Sequence, residues 1–369
     1  MPFFRVYNRG SKLVLWLPNR HRHPASEVLR VDMPVRAKTA ILLLSFSLWA
    51  LLAAAQSSGT SEPTGEVPTF KANVNVVSLY FNVKDKHGLL IPHLNTGDFE
   101  VLEDGKPQTI KYFSADTSQP LTLGILIDSS ASQTRVLEME KEVGSEFLQE
   151  VLREKDLAYV ISFDVNVDLL QDYTNSTRTL KAALYRAKIN AGGVGGGPPG
   201  LGGGPLPTSQ TPRGTLLYDA IWLGSREKLA SEVGRKAMII LTDGEDQGSR
   251  ESIKSAIEAA QKADAMVYVI LIADREFYGS YGYSGDRAMK EIARETGGRV
   301  IEVGNNQKKL KEAFDQISAE LRSQYSIGYT PTNAKLDGSF RKIEIKPKNK
   351  DYRVQARAGY YALKNASGD

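Results

Sequence analysis

Apolar segments typical of buried strands alternate with amphipathic helices between residues 120 and 305, and this alternation constrains the fold more than any other feature. Five such strands are predicted, at 121–127, 157–163, 237–241, 266–272 and 300–303. Each is an almost continuous apolar run, whereas a strand with one face in water would alternate apolar and polar residues. The sequence therefore predicts an α/β protein with a doubly wound, mostly parallel sheet that helices cover on both faces.

The helices of this region are predicted from their periodicity, at about 135–152, 178–187, 216–229, 249–262 and 288–296. In the first of them, apolar residues recur at spacings of three and four and form one buried stripe. These residues are Val136, Met139, Val143, Phe147 and Val151. In an open sheet of this kind, right-handed crossovers place ligand sites beyond the carboxyl ends of the strands, at a switch point in the strand order.

Oxygen-bearing side chains follow two of these strands at the positions where a ligand site is expected. Asp128, Ser130 and Ser132 come directly after the strand 121–127, and Asp243 follows the strand 237–241. Thr215 stands between them in sequence, at the start of a predicted helix. Two carboxylates and three hydroxyls form an all-oxygen ligand set. Such a set suits a hard divalent cation, Mg²⁺ in the first place and Mn²⁺ as the alternative.

The spacing supports this interpretation, although a simpler one exists. Residues at i, i+2 and i+4 of a curled loop can converge on one point, as Asp128, Ser130 and Ser132 would do. The simpler interpretation is a capped loop, with Ser132 near the N-cap of the following helix. A D-x-S-x-S string alone would favour the capped loop. Its combination with a second strand-end aspartate and with Thr215 favours the metal site.

Composition excludes several classes of site. The chain has no cysteine, and its four histidines (His21, His23, His87 and His93) all precede the segment that carries the oxygen ligands. Cysteine-ligated zinc, disulfides, and a Ser-His-Asp triad within 120–305 are therefore excluded. A net charge of +4 over 369 residues, with both signs interleaved, gives no reason to expect a nucleic-acid partner. The sequence predicts a protein that is not an enzyme.

The N-terminal region, residues 1–55, resembles an export signal. An uncharged apolar stretch at 40–55 follows Arg36 and Lys38, and it ends in three alanines before Gln56. These are the parts of a cleavable secretory signal, so an exported protein is expected, in the periplasm, cell envelope or medium. An uncleaved membrane anchor is the alternative, and translation could begin at Met1 or at Met33. Residues 56–69 are predicted to be a flexible linker.

Two β-rich extensions flank the central region, which also carries one insertion. The first extension, 70–117, has strands at 74–83, 99–103 and 109–113, the last two forming a hairpin about Asp104-Gly105. The second, 306–369, is predicted to be a helix at 310–322 followed by a β-hairpin of 340–345 with 352–356. It is expected to join its strands to the first extension. The Gly/Pro tract 191–213 is a neutral spacer or a segment lying over the metal site.

Taken together, these residues resemble the von Willebrand factor type A (VWA) family, whose metal-ion-dependent adhesion site has the pattern D-x-S-x-S, then T, then D. The resemblance covers about 120–305 and is complete at Asp128, Ser130, Ser132, Thr215 and Asp243. It implies a Rossmann-like VWA domain in which the three hydroxyls bind the metal directly and the two carboxylates bind mainly through water. The flanks, 70–113 and 324–361, look like the exported bacterial VWFA-related Acidobacterial domain family.

The resulting hypothesis is an exported binding module that captures the acidic group of a protein partner, an exposed Asp or Glu, through Mg²⁺. Two alternatives remain open at this stage. One is a structural subunit of an envelope assembly, in which the metal only fixes loops. The other is a metal-assisted hydrolase with Glu245, Asp246 or Asp219 as general base. Loss of partner binding without loss of folding would favour the binding module over both.

Overall fold

A computed structural model describes residues 76–115, 119–190, 214–272 and 285–363. The predicted export signal, the linker and the Gly/Pro tract 191–213 lie outside these residues. Within the described part of the chain, no helix is long and apolar enough to cross a membrane.

The described residues form strands and helices in the alternating order that the sequence predicts. The strands are β1 (Val77–Lys84), β2 (Phe99–Glu103), β3 (Lys106–Gln108), β4 (Ile110–Ser114), β5 (Leu121–Asp128), β6 (Leu157–Phe163), β7 (Val167–Thr174), β8 (Arg235–Thr242), β9 (Ala265–Leu271), β10 (Val300–Glu302), β11 (Tyr325–Tyr329), β12 (Phe340–Pro347), β13 (Arg353–Ala356) and β14 (Gly359–Tyr361). The helices are α1 (Leu137–Val151), α2 (Thr177–Leu184), α3 (Leu217–Leu223), α4 (Ile253–Lys262), α5 (Gly285–Thr296) and α6 (Gln307–Arg322).

The central sheet has six strands in the order β10-β9-β8-β5-β6-β7. All neighbouring pairs are parallel except β6 with β7, which are antiparallel. The α/β class and the mostly parallel sheet are therefore confirmed. The chain runs from β5 to β6 on one side and later returns to β8 on the other side. The switch point consequently lies between β5 and β8, where a ligand site is expected.

Helices cover both faces of this sheet, as the uninterrupted apolar strands require. On one face, α1, α2 and α6 pack over alternate residues of β5, including Leu123, Ile125 and Ile127. On the other face, α3, α4 and α5 pack over Leu126 and over residues of β8 and β9. All eight residues of β5 are buried, so this strand has no solvent-facing side. Burial on both faces explains why its sequence does not alternate.

One strand of the sheet and one helical segment differ from the sequence-based prediction. The strand β7 was not predicted, because its residues are mostly half-buried or exposed and include three polar side chains between the apolar ones. It lies at one edge of the sheet and, among the described strands, pairs only with β6. The helix predicted at 216–229 ends as an α-helix at Leu223 and continues as a π-helical segment, Gly224–Leu229.

The two flanking extensions interleave into one β sandwich. One four-stranded sheet has the order β13-β1-β11-β4 and the other β14-β12-β2-β3, so each contains strands from both ends of the described chain. Apolar side chains of both sheets share a core that includes Phe81, Val101, Ile327 and Ile343. The expectation that the second extension would join its strands to the first is confirmed.

Two hairpins in these extensions are corrected. Residues 340–345 and 352–356 do not pair with each other, because β12 pairs with β2 and β14 whereas β13 pairs with β1. Likewise, the strand that returns to β2 after Asp104-Gly105 is β3, and β4 pairs with β11 in the other sheet. The alternating pattern of each segment specifies a strand with one buried face. It does not specify which of the two sheets provides that buried face.

A buried ion pair links the first flanking extension to the second, between the adjacent strands β2 and β12. The Arg341 guanidinium lies 3.2 Å from a Glu103 carboxylate oxygen, and both side chains are only 2% exposed. The hydroxyls of Tyr329 and Tyr360 donate to the other Glu103 oxygen over 2.8 and 3.0 Å. Arg341 also donates to the carbonyl of Asn333. Because the two charges are paired, the network ties four strands and one loop together without an unpaired ion.

Glu103→Ala should lower the free energy of unfolding by about 3 kcal/mol or more, since it leaves the Arg341 charge buried without its partner. Glu344→Ala is the matched control: it lies on β12 and breaks an exposed pair with Lys346, in which both side chains are about half exposed. That pair is worth at most about 1 kcal/mol. Urea unfolding of both variants measures the difference. Equal losses of unfolding free energy in the two variants would contradict the stabilising role of the Glu103 network.

Candidate metal centre

The parallel register of β5 with β8 brings the two predicted aspartates to one edge of the sheet. Ile127 stands beside Leu241, so that the next residues along the two strands are Asp128 and Thr242. Asp243 follows at the end of β8. These positions lie at the carboxyl ends of adjacent strands on the two sides of the switch point. The fold therefore brings together side chains that are more than a hundred residues apart in sequence.

Asp128 is held from two sides and has no exposed surface. The Thr242 hydroxyl donates to one carboxylate oxygen over 2.7 Å, and the backbone amide of Ser130 donates to the other over 2.9 Å. The second bond closes a turn in which the loop curls back on its own first residue, as an Asx turn does. This curl directs the following serines toward the same end of the sheet.

The two serine side chains of the D-x-S-x-S segment lie together. The hydroxyl oxygens of Ser130 and Ser132 are 3.0 Å apart. Gln133, which is fully buried, donates from its side-chain amide to the Ser132 oxygen over 3.3 Å and to an Asp243 carboxylate oxygen over 3.0 Å. One amide thus joins the loop after β5 to the loop after β8. Its own carbonyl oxygen has no hydrogen-bond donor among the described residues.

Asp243 is 1% exposed and begins a tight turn. Its second carboxylate oxygen accepts from the Glu245 amide over 3.1 Å. The intervening residue, Gly244, has a φ of +84°, in the left-handed region that glycine adopts without strain. The glycine of the Asp-Gly pair therefore shapes the loop that carries the carboxylate.

Thr215 lies beside this group on a third segment. Its backbone exchanges two hydrogen bonds with Gln247, at 3.1 and 2.9 Å, which attaches it to the loop that follows Asp243. The amide of the next residue, Leu216, donates to the Asp164 carbonyl over 2.8 Å. Four of the five predicted residues are thus linked through hydrogen bonds, and Thr215 is attached to their loops through its backbone. Their role as metal ligands stays a prediction.

Asp164 is a residue of this region that the sequence did not indicate. It is 8% exposed, follows β6, and accepts a 3.0 Å hydrogen bond from the Ser129 hydroxyl. The amide of Asn190 donates to the Ser129 carbonyl over 3.1 Å. Asn190 directly precedes the Gly/Pro tract, and Leu216 lies three residues after its end. Ser129 and Asp164 therefore hold both borders of the tract next to the D-x-S-x-S loop.

Two buried carboxyl groups, those of Asp128 and Glu140, have pKa values above those of ordinary surface acids. Burial, together with the nearby charge of Asp243, raises the pKa of Asp128 to about 7 despite its hydrogen bonds. Burial also raises the pKa of Glu140 on α1 well above its usual range, and the charges of Asp128 and Asp243 act in the same direction. Acids that repel one another in a low-dielectric site are stabilised in their charged form by a cation.

The donor set fits a hard cation that is bound mainly by neutral oxygens. Within the residues that the structure describes, no three His, Cys, Asp or Glu side chains lie close enough to hold an ion together. A metal would therefore need the hydroxyls of Ser130, Ser132 and Thr215. The carboxylates of Asp128 and Asp243 are fully buried, whereas Ser132 keeps part of its surface exposed. Among the three hydroxyl residues, Ser132 is therefore the one through which solvent reaches this group, since Ser130 and Thr215 are also buried.

Three other acids near the site have defined structural roles. Glu245 accepts from the Gly285 amide over 2.8 Å, at the first residue of α5. Asp246 accepts from the Tyr218 amide over 3.1 Å, in the first turn of α3. Asp219 accepts from the amides of Arg250 and Glu251. Glu245 and Asp246 thus hold the first turns of α5 and α3, and not the start of the next helix along the chain. That helix, α4, is capped by Ser252.

Sequence reasoning missed Thr242, Gln133 and Asp164. Thr242 could have been found, because it precedes Asp243 at the end of a buried strand and its hydroxyl must have a partner there. Gln133 directly follows the D-x-S-x-S segment, but a glutamine in a loop is usually exposed. Nothing in the sequence around Asp164 distinguishes it from an ordinary turn residue.

The sequence matches no protein-family model and no curated protein. Solved structures similar to the chain include the conserved hypothetical protein BatB from Bacteroides thetaiotaomicron, at 22% identity and a TM-score of 0.39, covering 55% of this chain and 100% of BatB. The vWF domain of the type V pili tip protein Mfa5 from Porphyromonas gingivalis is 13% identical, with a TM-score of 0.40, over 55% of this chain and 94% of that domain. The SpRpn10 VWA domain is 12% identical, with a TM-score of 0.37, over 53% of this chain and 94% of that domain.

In EDTA, the free energy of unfolding should fall as the pH rises from about 4 to about 7. Because the folded protein raises the pKa of Asp128 to about 7, it keeps a proton in this interval that the unfolded chain releases. The slope is at most about 1.4 kcal/mol per pH unit for each such proton. Asp128→Asn should flatten the curve. Urea unfolding at several pH values measures it, and parallel curves for parent and variant would contradict the raised pKa.

Proposed function

We propose that this chain is an exported binding module that captures an acidic group of a protein partner through Mg²⁺ held by Asp128, Ser130, Ser132, Thr215 and Asp243. The observation that carries the proposal is the burial of Asp128 and Asp243 at the carboxyl ends of adjacent strands on the two sides of the switch point, with the partly exposed Ser132 joined to Asp243 through Gln133. The complete D-x-S-x-S, T, D pattern and the export-type N-terminal segment support it from the sequence.

The ligand set determines what the metal would do. Three neutral hydroxyls and two carboxylates acting mainly through water leave the cation with much of its positive charge. The bound ion would thus supply an electrophilic centre to which an incoming carboxylate can add. The chain's own residues contribute the geometry. Thr242 and the Ser130 amide orient Asp128, and Gln133 fixes Ser132 relative to Asp243.

Binding is favoured over hydrolysis by the hydrogen bonds of the three candidate bases. A general base needs an oxygen that is free to take a proton from an attacking water. Glu245, Asp246 and Asp219 each accept hydrogen bonds from backbone amides, so that at least one oxygen of each carboxylate is engaged in holding a loop or a helix start. These acids are better suited to fix loops than to move protons. A hydrolase therefore has weaker support here than a binding module.

Mg²⁺ or Mn²⁺ should raise the unfolding midpoint of the parent protein in a saturable way. A ligand of the native state stabilises by mass action, by about 2.7 kcal/mol at a hundred times its Kd. Asp243→Ala and Ser130→Ala should lose this response. Asp172→Asn is the control, since its carboxylate lies on β7, is exposed and pairs with Lys228. Thermal unfolding in EDTA and in a metal series measures the effect. An equal response in Asp243→Ala would argue against the site.

Capture of an envelope protein fraction by the immobilised chain should require both the metal and carboxylates on the partner. Retention is expected in Mg²⁺ and should disappear in EDTA or with Thr215→Ala. It should also disappear after the carboxylates of the fraction are converted to amides with a carbodiimide and an amine. Retention that survives amidation would favour a partner recognised by other chemistry. Metal-dependent folding without any retention would favour a structural subunit.

A further inference from the structure

Glu140 is a buried acid that the D-x-S-x-S, T, D pattern does not include. It lies in the first turn of α1 and has no exposed surface. Neither of its carboxylate oxygens has a hydrogen-bond donor among the described residues. It differs in this respect from Asp128 and Asp243, whose oxygens accept from hydroxyl or amide donors.

Such an acid does not stabilise the protein fold by itself. A buried polar group without a partner costs free energy, and a buried unpaired charge costs considerably more. The adjacent residue in the sequence is a lysine, Lys141, but its ammonium group is paired with another acid. The Lys141 ammonium forms its ion pair with the exposed Glu138, at 2.7 Å. An apolar residue of similar size would pack at this position without this free-energy cost. The carboxyl group at this position therefore indicates an interaction with a further partner.

Its surroundings connect Glu140 to the candidate metal centre. The loop from Asp128 to Gln133 leads through a short turn into α1, which places the first turn of this helix just behind the ligand loop. The charges of Asp128 and Asp243 both act on Glu140 and raise its pKa. All three acids are buried, and the helix that carries Glu140 follows the loop that carries Asp128, Ser130 and Ser132.

Glu140 does not belong to the direct ligand set. No group of three acidic, histidine or cysteine side chains in the described ranges is close enough to hold one ion. A carboxylate at this position acts on a bound cation through an intervening water or through space. Interactions of this kind commonly change metal affinity by one to two orders of magnitude, because groups outside the ligand set tune its charge and orientation.

We propose that Glu140 is a third acidic group of the metal centre, which attracts the cation from outside the ligand set. This inference rests on the proposed metal site. It predicts that the site binds a divalent cation tightly even before a partner carboxylate arrives. Because Glu140 acts from outside the ligand set, it adds attraction for the cation without occupying the coordination position that an incoming carboxylate would take.

The test compares Glu140→Gln with Glu142→Gln in the full chain, with Mn²⁺ as the probe. Glu142 lies on the same helix but is exposed, so its variant makes the same change of charge away from the site. Free Mn²⁺ is measured by electron paramagnetic resonance during a titration, and unfolding midpoints are measured in EDTA. Glu140→Gln should raise the Kd about tenfold or more, and Glu142→Gln less than twofold.

The metal-free measurement separates this role from a purely structural one. Glutamine resembles the uncharged carboxyl group, so the midpoint of Glu140→Gln in EDTA should equal or exceed that of the parent. Glu140→Met, an apolar replacement of similar length, should show the same weakened affinity and a higher midpoint. A lower midpoint in EDTA with an unchanged Kd would overturn the inference, because Glu140 would then be a structural residue.

The outcomes also distinguish this inference from the function on which it rests. If the parent binds Mn²⁺ and Glu140→Gln binds it equally well, Glu140 has no role at the site, although the site itself remains. If the parent binds no Mn²⁺ under any condition, the proposed metal site and the role of Glu140 are both wrong. A weakened affinity in Glu140→Gln and in Glu140→Met, with the control unchanged, supports the assignment.

Discussion

The repulsion between two buried carboxylates, Asp128 and Asp243, is the constraint on which the rest of the site depends. The effective cost of removing an ionised carboxylate from water is several kcal/mol, and a second negative charge nearby adds to it. The structure offsets part of this cost with the Thr242 hydroxyl, the backbone amides of the two loops and the Gln133 amide. The remaining imbalance is negative, and a divalent cation is the simplest group that corrects it.

The sheet maintains this arrangement because it cannot easily relax. Every residue of β5 is buried, and both neighbours, β6 and β8, pair with it in parallel. A slip of one residue would exchange the side chains that face the two helical layers and would break the packing on both faces. The strand ends are therefore fixed relative to each other, and so are the loops that start from them. Because the strands are rigid, the loops that start from them can hold two buried carboxylates close together.

The sequence predicted the parts of the molecule in which one physical requirement dominates. Fully buried strands such as β5 and β6 need uninterrupted apolar residues, and their bounds agree with the prediction within one residue. The edge strand β7 and the pairing of β12 were missed, because half-buried strands have mixed patterns and partners chosen by the whole fold. The five site residues were found through strand ends. Gln133 and Glu140 were not, since their roles follow from burial, which a local pattern does not reveal.

The β sandwich adds a constraint on how the chain reaches this structure. The central strands of one of its sheets, β1 and β11, pair across about 250 residues of chain, and β13 lies still further from β1 in sequence. The closure of so long a loop costs entropy before its contacts contribute, so these pairings are expected late in folding. Until then β1 exposes an unpaired edge, which favours non-native association. The α/β region contains the local crossovers and the largest core, so it can form first. It then provides, through α6 and the adjoining β11, the surface on which the N-terminal strands assemble.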